Sequence, residues 1–417
     1  MRPLFHYTVN TGWINDPHGI TFKDGKYHAF YQYVPGQTSW APSCHWGHAV
    51  GHDLFSLREL PFALGPGDGD DGIWTGSLVL DENSQPLIFY TSINTPDFSI
   101  GKVRVASTKD ANWEVWSKGQ VVAEAPDGLD LIAFRDPFIR RDSECWRMFL
   151  GAGDRDGRAM ALSYTSTDLQ EWAYEGVVLQ RSNLERSDVW MGSLWECPQF
   201  VTIDSQDLMI SSIWDADQLY YSAFAAGTYE TGKFTPNSWG RFTFGDCYYA
   251  PSYFLDSQNR PSLQLWLRGI SNDGEGWAGA HSIPYLLHWR EGQILALPHT
   301  DIDKYQVPII GDEIPSLACD IEWDSSHGSL EIYSAGRRLV SLVRNQEGNL
   351  RIDVDGKSSE LAFSGNLRII LDGPILEISG LGGLFAAIVN PAGNSLNLTS
   401  GAEGLVHAFG IEIPEVS

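Results

Sequence analysis

The chain has 417 residues, with 28 Lys+Arg against 53 Asp+Glu and a formal net charge of -25. That acidic excess repels nucleic acid and anionic lipid, so neither is expected as a partner, and it suits a neutral or cationic ligand. Hydrophobic residues at 43% against 19% charged exclude a disordered chain, and 16 Trp, 16 Tyr and 42 Gly supply the flat aromatic faces and tight turns of a carbohydrate-handling β protein.

The opening residues, MRPLFHYTVNTGWINDP, contain no apolar stretch of signal-peptide length. No apolar run approaches the ~20 residues of a membrane span. Five scattered cysteines (Cys44, Cys145, Cys197, Cys247, Cys319) form no CxxC pair, so neither a disulfide framework nor a zinc ribbon is indicated. A reduced, cytoplasmic protein is expected.

Taken in chain order, the segments KYHAFYQYV, SLVLDENSQPLIFYTS, CWRMFLGAG and DLMISSIW are short and rich in aromatic and β-branched residues. Each is bounded by Gly, Asp, Asn or Pro, and long runs of 3.6-residue periodicity are scarce, which predicts an all-β fold. DENSQP, DSQNRP and NQEGN look like hairpin connections. Fifteen of the 16 Trp precede residue 290, and beyond about residue 310 the sequence becomes plainer alternating strand (SLEIYSAGRRLVSLV, LRIILDGPILEISG), of a size for one β-sandwich. Two domains are therefore predicted, 1–300 and 301–417, joined near LPHTDIDKYQVP.

Within the first domain, short polar motifs recur as landmarks: NDP at Asp16, WTGS at Thr75, RDP at Asp136, WECP at Glu196 and YYAP at Tyr249, about 59, 61, 60 and 53 residues apart. Five units of this length fit a five-bladed β-propeller of four-stranded blades, each landmark turned toward a common axis.

Three of the landmarks carry carboxylates in aromatic surroundings: Asp16 in WINDPHG, Asp136 in FRDPF and Glu196 in LWECPQF. The prolines that follow Asp16, Asp136 and Cys197 are expected to keep the preceding backbone extended and so fix each carboxylate. Glycoside cleavage needs two carboxyl groups in different protonation states, and the apolar sequence neighbours of Glu196 suit it to the acid. A third anion, Asp136 beside Arg135, is placed to bind sugar hydroxyls. Any one Asp-Pro is more often a turn; the matched spacing of three argues for a site. Trp13, Trp40, Trp46 and Trp74 would either stack on a sugar or pack between blades. Gln32, polar within the apolar FYQY, needs a hydrogen-bond partner if buried, met by a sugar hydroxyl or by backbone. His45, His48 and His52 in HWGHAVGH lack a carboxylate to complete a zinc set, and period-2 geometry puts His45 and His48 on opposite faces, so no metal is expected.

WINDPHG, FYQY, HWGHA, WTGS, FRDP, WECP, YYAP and WAGA, in this order, resemble glycoside hydrolase family 32, the invertase, levanase and inulinase family. LDGPILEIS resembles a strand of that family's C-terminal sandwich. The resemblance spans nearly the whole chain. It implies a five-bladed propeller followed by a sandwich, and a retaining double displacement on β-fructofuranosides without metal or organic cofactor. It also implies Asp16 as nucleophile, Asp136 as transition-state stabiliser and Glu196 as acid/base, with Asn15, Gln32, Trp40, Trp74, Thr75, Arg135, Tyr249 and Trp277 lining the fructose subsite.

Four departures leave the three carboxylates themselves in place and bear on the rim or the subsites: His18 for an Asn, Trp74-Thr75 for Phe-Ser, a longer WAPSC stretch, and DCYYA, which unsettles the alignment of Asp246. The activity expected is an exo-acting hydrolase releasing terminal fructose from sucrose, fructo-oligosaccharides or fructans, all neutral saccharides. Three rivals stand beside it: a fructosyltransferase, intermolecular or anhydride-forming; an arabinan- or xylan-acting propeller, less consistent with NDP and ECP; and a non-catalytic sugar-binding propeller, disfavoured by all three carboxylates being present. The sandwich is expected to be structural, with a homo-oligomer contact or a share of the pocket rim left open to it.

Overall fold

A computed structural model of the chain describes residues 1–309, 311–324, 327–401 and 405–412. The fold is all-β, with one 3-10 turn over Thr300–Tyr305 among the described residues. The first 64 residues give β1 (Gly12–Lys23), β2 (Lys26–Val34), β3 (His45–Gly51) and β4 (Arg58–Leu64), paired antiparallel in that order. Three separate four-stranded sheets follow, again with neighbours in sequence paired. They are β5 (Gly72–Leu80), β6 (Pro86–Ile93), β7 (Lys102–Ser107) and β8 (Ser117–Ala123); then β9 (Leu131–Arg141), β10 (Trp146–Asp154), β11 (Arg158–Ser166) and β12 (Ala173–Ser182); then β13 (Leu194–Ile203), β14 (Gln206–Asp215), β15 (Gln218–Glu230) and β16 (Lys233–Arg241). After a short β17 (Thr243–Gly245), the strands β18 (Tyr248–Leu255), β19 (Pro261–Asn272), β20 (Trp277–His281), β21 (Tyr285–Arg290) and β22 (Gln293–Pro298) form the next group. The first strand of each group touches the first strand of the next, β1 to β5 to β9 to β13 to β18, and β18 returns to β1, closing a ring.

Local chemistry explains the hairpins. Lys23 pairs with Lys26 across a two-residue turn in which Asp24 and Gly25 both have positive φ, the requirement of a type I′ hairpin. In DENSQP the Asp81 carboxylate accepts the backbone N–H of Asn83 and Gln85; Asp256 in DSQNRP and Asn345 in NQEGN do the same two and four residues on. All three segments connect paired strands, as the turn signals predict.

Residues beyond the 3-10 turn build two sheets that share a core of their own, including Ile314, Trp323, Leu342, Leu367, Ile378 and Leu398. Two strand pairings join this unit to the ring: Leu295 pairs with Leu381, and β17 runs parallel to Gly383–Ile388.

Candidate active site

All five landmarks lie on the ring-forming strands, and at each one the ladder to the neighbouring strand slips. The register breaks between Ile14 and Pro17, between Trp74 and Gly76, opposite Phe149 and Gly151 at Asp136, between Glu196 and Gln199, and between Tyr249 and Ser252. A bulge releases one residue from pairing and re-aims its side chain. The expectation of extended backbone before proline is corrected here. Asp136 (φ 61), Cys197 (φ 50) and Ala250 (φ 47), each followed by Pro, are left-handed; only Asp16 of the three pre-proline motif residues keeps negative φ. The bulge, with its extra residue to accommodate, outweighs the proline's preference.

The ring's inner strands meet at a cavity of about 640 Å³. Its polar lining includes Asn15, Asp16, Gln32, Arg135, Asp136, Glu196, Asp217 and Tyr249, and Trp13, Trp40, Trp74, Phe98, Trp214 and Trp266 form its aromatic walls. Asp16 accepts hydrogen bonds from Thr75 Oγ1 (2.7 Å), Asn15 Nδ2 (3.0 Å) and Gln32 Nε2 (3.3 Å), and Gln32 also bonds Thr75. Thus Thr75 acts from beneath the cavity surface, and Gln32 finds side-chain partners. Asp136 accepts the backbone N–H of Cys197 at 3.0 Å, while its own N–H donates to Thr91. The Cys197 thiol lies 3.8 Å from Asp16 and 3.7 Å from Asp136.

Sequence neighbours misstate the surroundings of Glu196. Trp195 turns into the core, and the Glu196 carboxylate lies between the Arg135 guanidinium (3.0 Å to Oε1) and the Tyr249 hydroxyl (2.5 Å to Oε2). Burial pushes Asp16 up to about 6, against the Thr75 hydrogen bond and with repulsion from Glu196. Burial also raises Asp136; Arg135 opposes the rise and the two other carboxylates add to it. The Arg135 guanidinium, itself buried, is held protonated by Glu196 and Asp136 and sits over the Trp74 ring, 5.7 Å from its centroid.

Trp277 is a correction. It lies outside the cavity lining, fully buried in β20, its indole N–H on Glu275 (2.9 Å) and its ring beneath Arg2. The parallel pairing of Gly12 with Trp277 turns that end of β20 toward the N-terminal segment. Trp266 of β19 takes the wall, edge-on to Trp13 at 5.7 Å. Trp40 is 43% exposed at the rim, edge-on to Trp74, whereas Trp46 is buried with its N–H on the Trp74 carbonyl. Sequence reasoning also missed Phe98, Trp214 and Asp217, none of which lies in a landmark. The one signal for Asp217 is the two-residue turn WDADQ, where Ala216 and Asp217 are both left-handed.

His18, the unusual residue of NDPHG, is buried against Trp46 at 3.9 Å between ring centroids. It faces a second cavity of about 430 Å³ that reaches Asp136 and Cys197 from behind. His45 packs on Phe62, and His48 packs on Phe30 and contacts His28. Among the described residues no group of three or more His, Cys, Asp or Glu is arranged to hold a metal ion, and no helix is long and apolar enough to cross a membrane.

Paired carboxylates on separate strands, one free of cations and one gripped by Arg and Tyr, within an aromatic cavity, meet the two-carboxyl requirement of glycoside cleavage. Residues 6–298 match the profile of the glycosyl hydrolases family 32 N-terminal domain, and the chain belongs to that family. It is 28% identical over 386 residues to a sucrose-6-phosphate hydrolase of Escherichia coli (84% of this chain, 78% of the relative). It is 30% identical over 307 residues to a levanase of Bacillus subtilis, covering 68% of this chain and 42% of that one. In structure it resembles a Bombyx mori β-fructofuranosidase, solved as a mutant with sucrose (TM-score 0.85, 22% identity, 98% of this chain and 94% of that one). It also resembles fructan 1-exohydrolase IIa of Cichorium intybus, solved with 1-kestose (TM-score 0.81, 20% identity, 99% and 97%).

Proposed function

We propose that the chain is a retaining β-fructofuranosidase that releases terminal fructose from sucrose, fructo-oligosaccharides or fructans. The convergence of Asp16, Asp136 and Glu196 on one aromatic cavity carries this reading. Asp16 attacks the anomeric C2 while the C2–O bond breaks, and the leaving oxygen takes its proton from Glu196. Glu196 then deprotonates a water whose oxygen attacks C2, freeing fructose and Asp16. Asp136 and Arg135 orient ring hydroxyls, and Asn15, Gln32, Trp40, Trp74, Thr75 and Tyr249 complete the subsite directly or by holding Asp16 and Glu196.

An unphosphorylated saccharide fits best. Arg135 is the only Lys or Arg in the described cavity lining, Glu196 occupies it, and Asp217 adds negative charge at the rim. The architecture we assign is a five-bladed propeller over 1–300, supported by the ring of five first strands, and a β-sandwich over 301–417, supported by its separate core. Five unpaired thiols favour a reducing, cytoplasmic setting.

Incubation with sucrose, inulin, levan and sucrose 6-phosphate, followed by chromatography, tests the assignment. Free fructose from the unphosphorylated sugars is the expected result. A new oligosaccharide or dianhydride would make the enzyme a transferase, and turnover confined to sucrose 6-phosphate would overturn the substrate class. Burst release of fluoride from β-fructosyl fluoride by Glu196→Gln, with little first-turnover cleavage of sucrose, would support the acid/base role; equal loss on both substrates would remove it.

A further inference from the structure

LDGPILEIS contributes nothing to the cavity, yet its two acids are among the most buried charged groups of the molecule: Asp372 is 1% and Glu377 0% exposed. Asp372 accepts the backbone N–H groups of Leu4, Phe5 and His6 and the His6 ring at Nδ1 (2.8 Å). Glu377 Oε2 takes His6 Nε2 (2.6 Å) and the backbone N–H of Ile283 (3.1 Å), while Oε1 takes the Tyr248 hydroxyl (2.7 Å). Carboxylates only accept, so His6, facing one on each nitrogen, is held as the imidazolium. Tyr285, on Tyr248 at 3.0 Å, and Cys247 complete the titratable groups around Glu377.

Two short paths lead from this cluster to the reacting carboxylates. Tyr248 and Tyr249 are consecutive in β18, so their side chains face opposite ways: Tyr248 toward Glu377, Tyr249 onto Glu196. On the other side, Ile283 lies two residues past His281, whose backbone N–H bonds the Tyr7 carbonyl and whose ring bonds the Asn15 carbonyl at 2.8 Å, next to Asp16. The geometry points to Glu377 as a positioning residue of the C-terminal unit that sets Tyr249 against Glu196 and, through His6, Ile283 and His281, the Asn15–Asp16 bulge. It rests on the reading of Asp16 and Glu196 as nucleophile and acid/base.

Glu377→Gln in the full chain tests this, with Leu342→Ala in the C-terminal core as a control for destabilisation alone. Folded Glu377→Gln should lose kcat by ten- to a hundredfold, the order of effect of slight misplacement, with KM within about twofold. The basic limb of its pH profile should move to higher pH, because a slackened Tyr249 donates less well to the Glu196 carboxylate beside Arg135. The control should keep kcat per folded molecule and the limb. Wild-type kcat and limb in folded Glu377→Gln, or the same losses in Leu342→Ala, overturn the proposal. If Glu377→Gln does not fold, Tyr248→Phe removes one hydroxyl and should shift the same limb; an unmoved limb overturns it. Glu196→Gln serves as the reference: if it retains the basic limb, the acid/base reading itself falls and this inference with it, whereas its loss alongside an unmoved limb in Glu377→Gln defeats this inference alone.

Discussion

The molecule buries two sets of carboxylates and treats them oppositely. At Asp372 and Glu377 a protonated histidine, four backbone N–H groups and a phenol supply donors. At the cavity, Asp16 receives three neutral side-chain donors and Asp136 one backbone N–H, neither is met by an imidazolium, and burial pushes both above the ordinary carboxylate range. A carboxylate whose partners offset its burial holds structure together; one whose burial outweighs its partners stores unfavourable energy that a sugar ring and an oxocarbenium-like centre can relieve.

The comparison predicts a split between activity and stability. Asp16→Asn should lower turnover by several powers of ten while leaving the melting temperature unchanged or higher, since it removes a carboxylate that the fold disfavours in its charged form. Asp136→Asn should cost about 10²–10³ in kcat with the same indifference of stability. Asp372→Ala should do the reverse. Removing one partner of a buried ion pair costs about 3–5 kcal/mol, read as a large fall in the thermal midpoint.

pH separates the two regions more finely. If Asp16 is the nucleophile we propose, it must be ionised to attack, so the acid limb of kcat/KM should fall near pH 6, where its carboxyl titrates. His6 is shifted the other way: burial would lower it, but Glu377 and Asp372 raise it from 6.5 to about 9. A group raised in the folded state gives stability that is complete below its ordinary value and lost as pH rises through the folded one. Thermal midpoints should therefore decline from about pH 6.5 to pH 9, and His6→Gln should flatten that decline. The smallest effect concerns the walls. Trp266→Ala should raise KM for sucrose about tenfold if it loses one aromatic contact worth about 1–1.5 kcal/mol, and Trp277→Phe should leave KM unchanged.

Much of this was legible in the sequence because chemistry and backbone geometry fall on the same residues. Bulges at Asp16, Thr75, Asp136, Glu196 and Tyr249 recur once per group of strands, so their spacing reports the ring. What was not legible depends on which way a strand faces. Trp277 carries as plain a motif as Trp74, yet its pairing with Gly12 turns it to Arg2. Trp195 abuts Glu196 in sequence and is absent from its surroundings. Trp214 and Asp217 reach the cavity from a hairpin end that no motif marks. The partners of Asp372 and Glu377 lie more than 90 residues away in sequence, beyond any local pattern.

The seam of the ring has a consequence for how the enzyme comes into being. Residues 12 and 13 pair with residues 277 and 278, so the first strand waits for a partner translated near the end of the ring. Contacts of such separation form late, after the loop entropy of the intervening chain has been overcome. On the ribosome, β1 would be held open through the synthesis of every intermediate sheet. The Gly12–Trp13 end of the strand that carries Asp16 would keep an unpaired edge until β20 emerges, and no shorter nascent chain could close the ring. A circular permutant with new termini between β8 and β9 would leave only the C-terminal unit between the two strands of this seam and make the β5–β9 contact the long-range one; ring closure should then wait on β5 and β9, with the same reaction catalysed at the same rate.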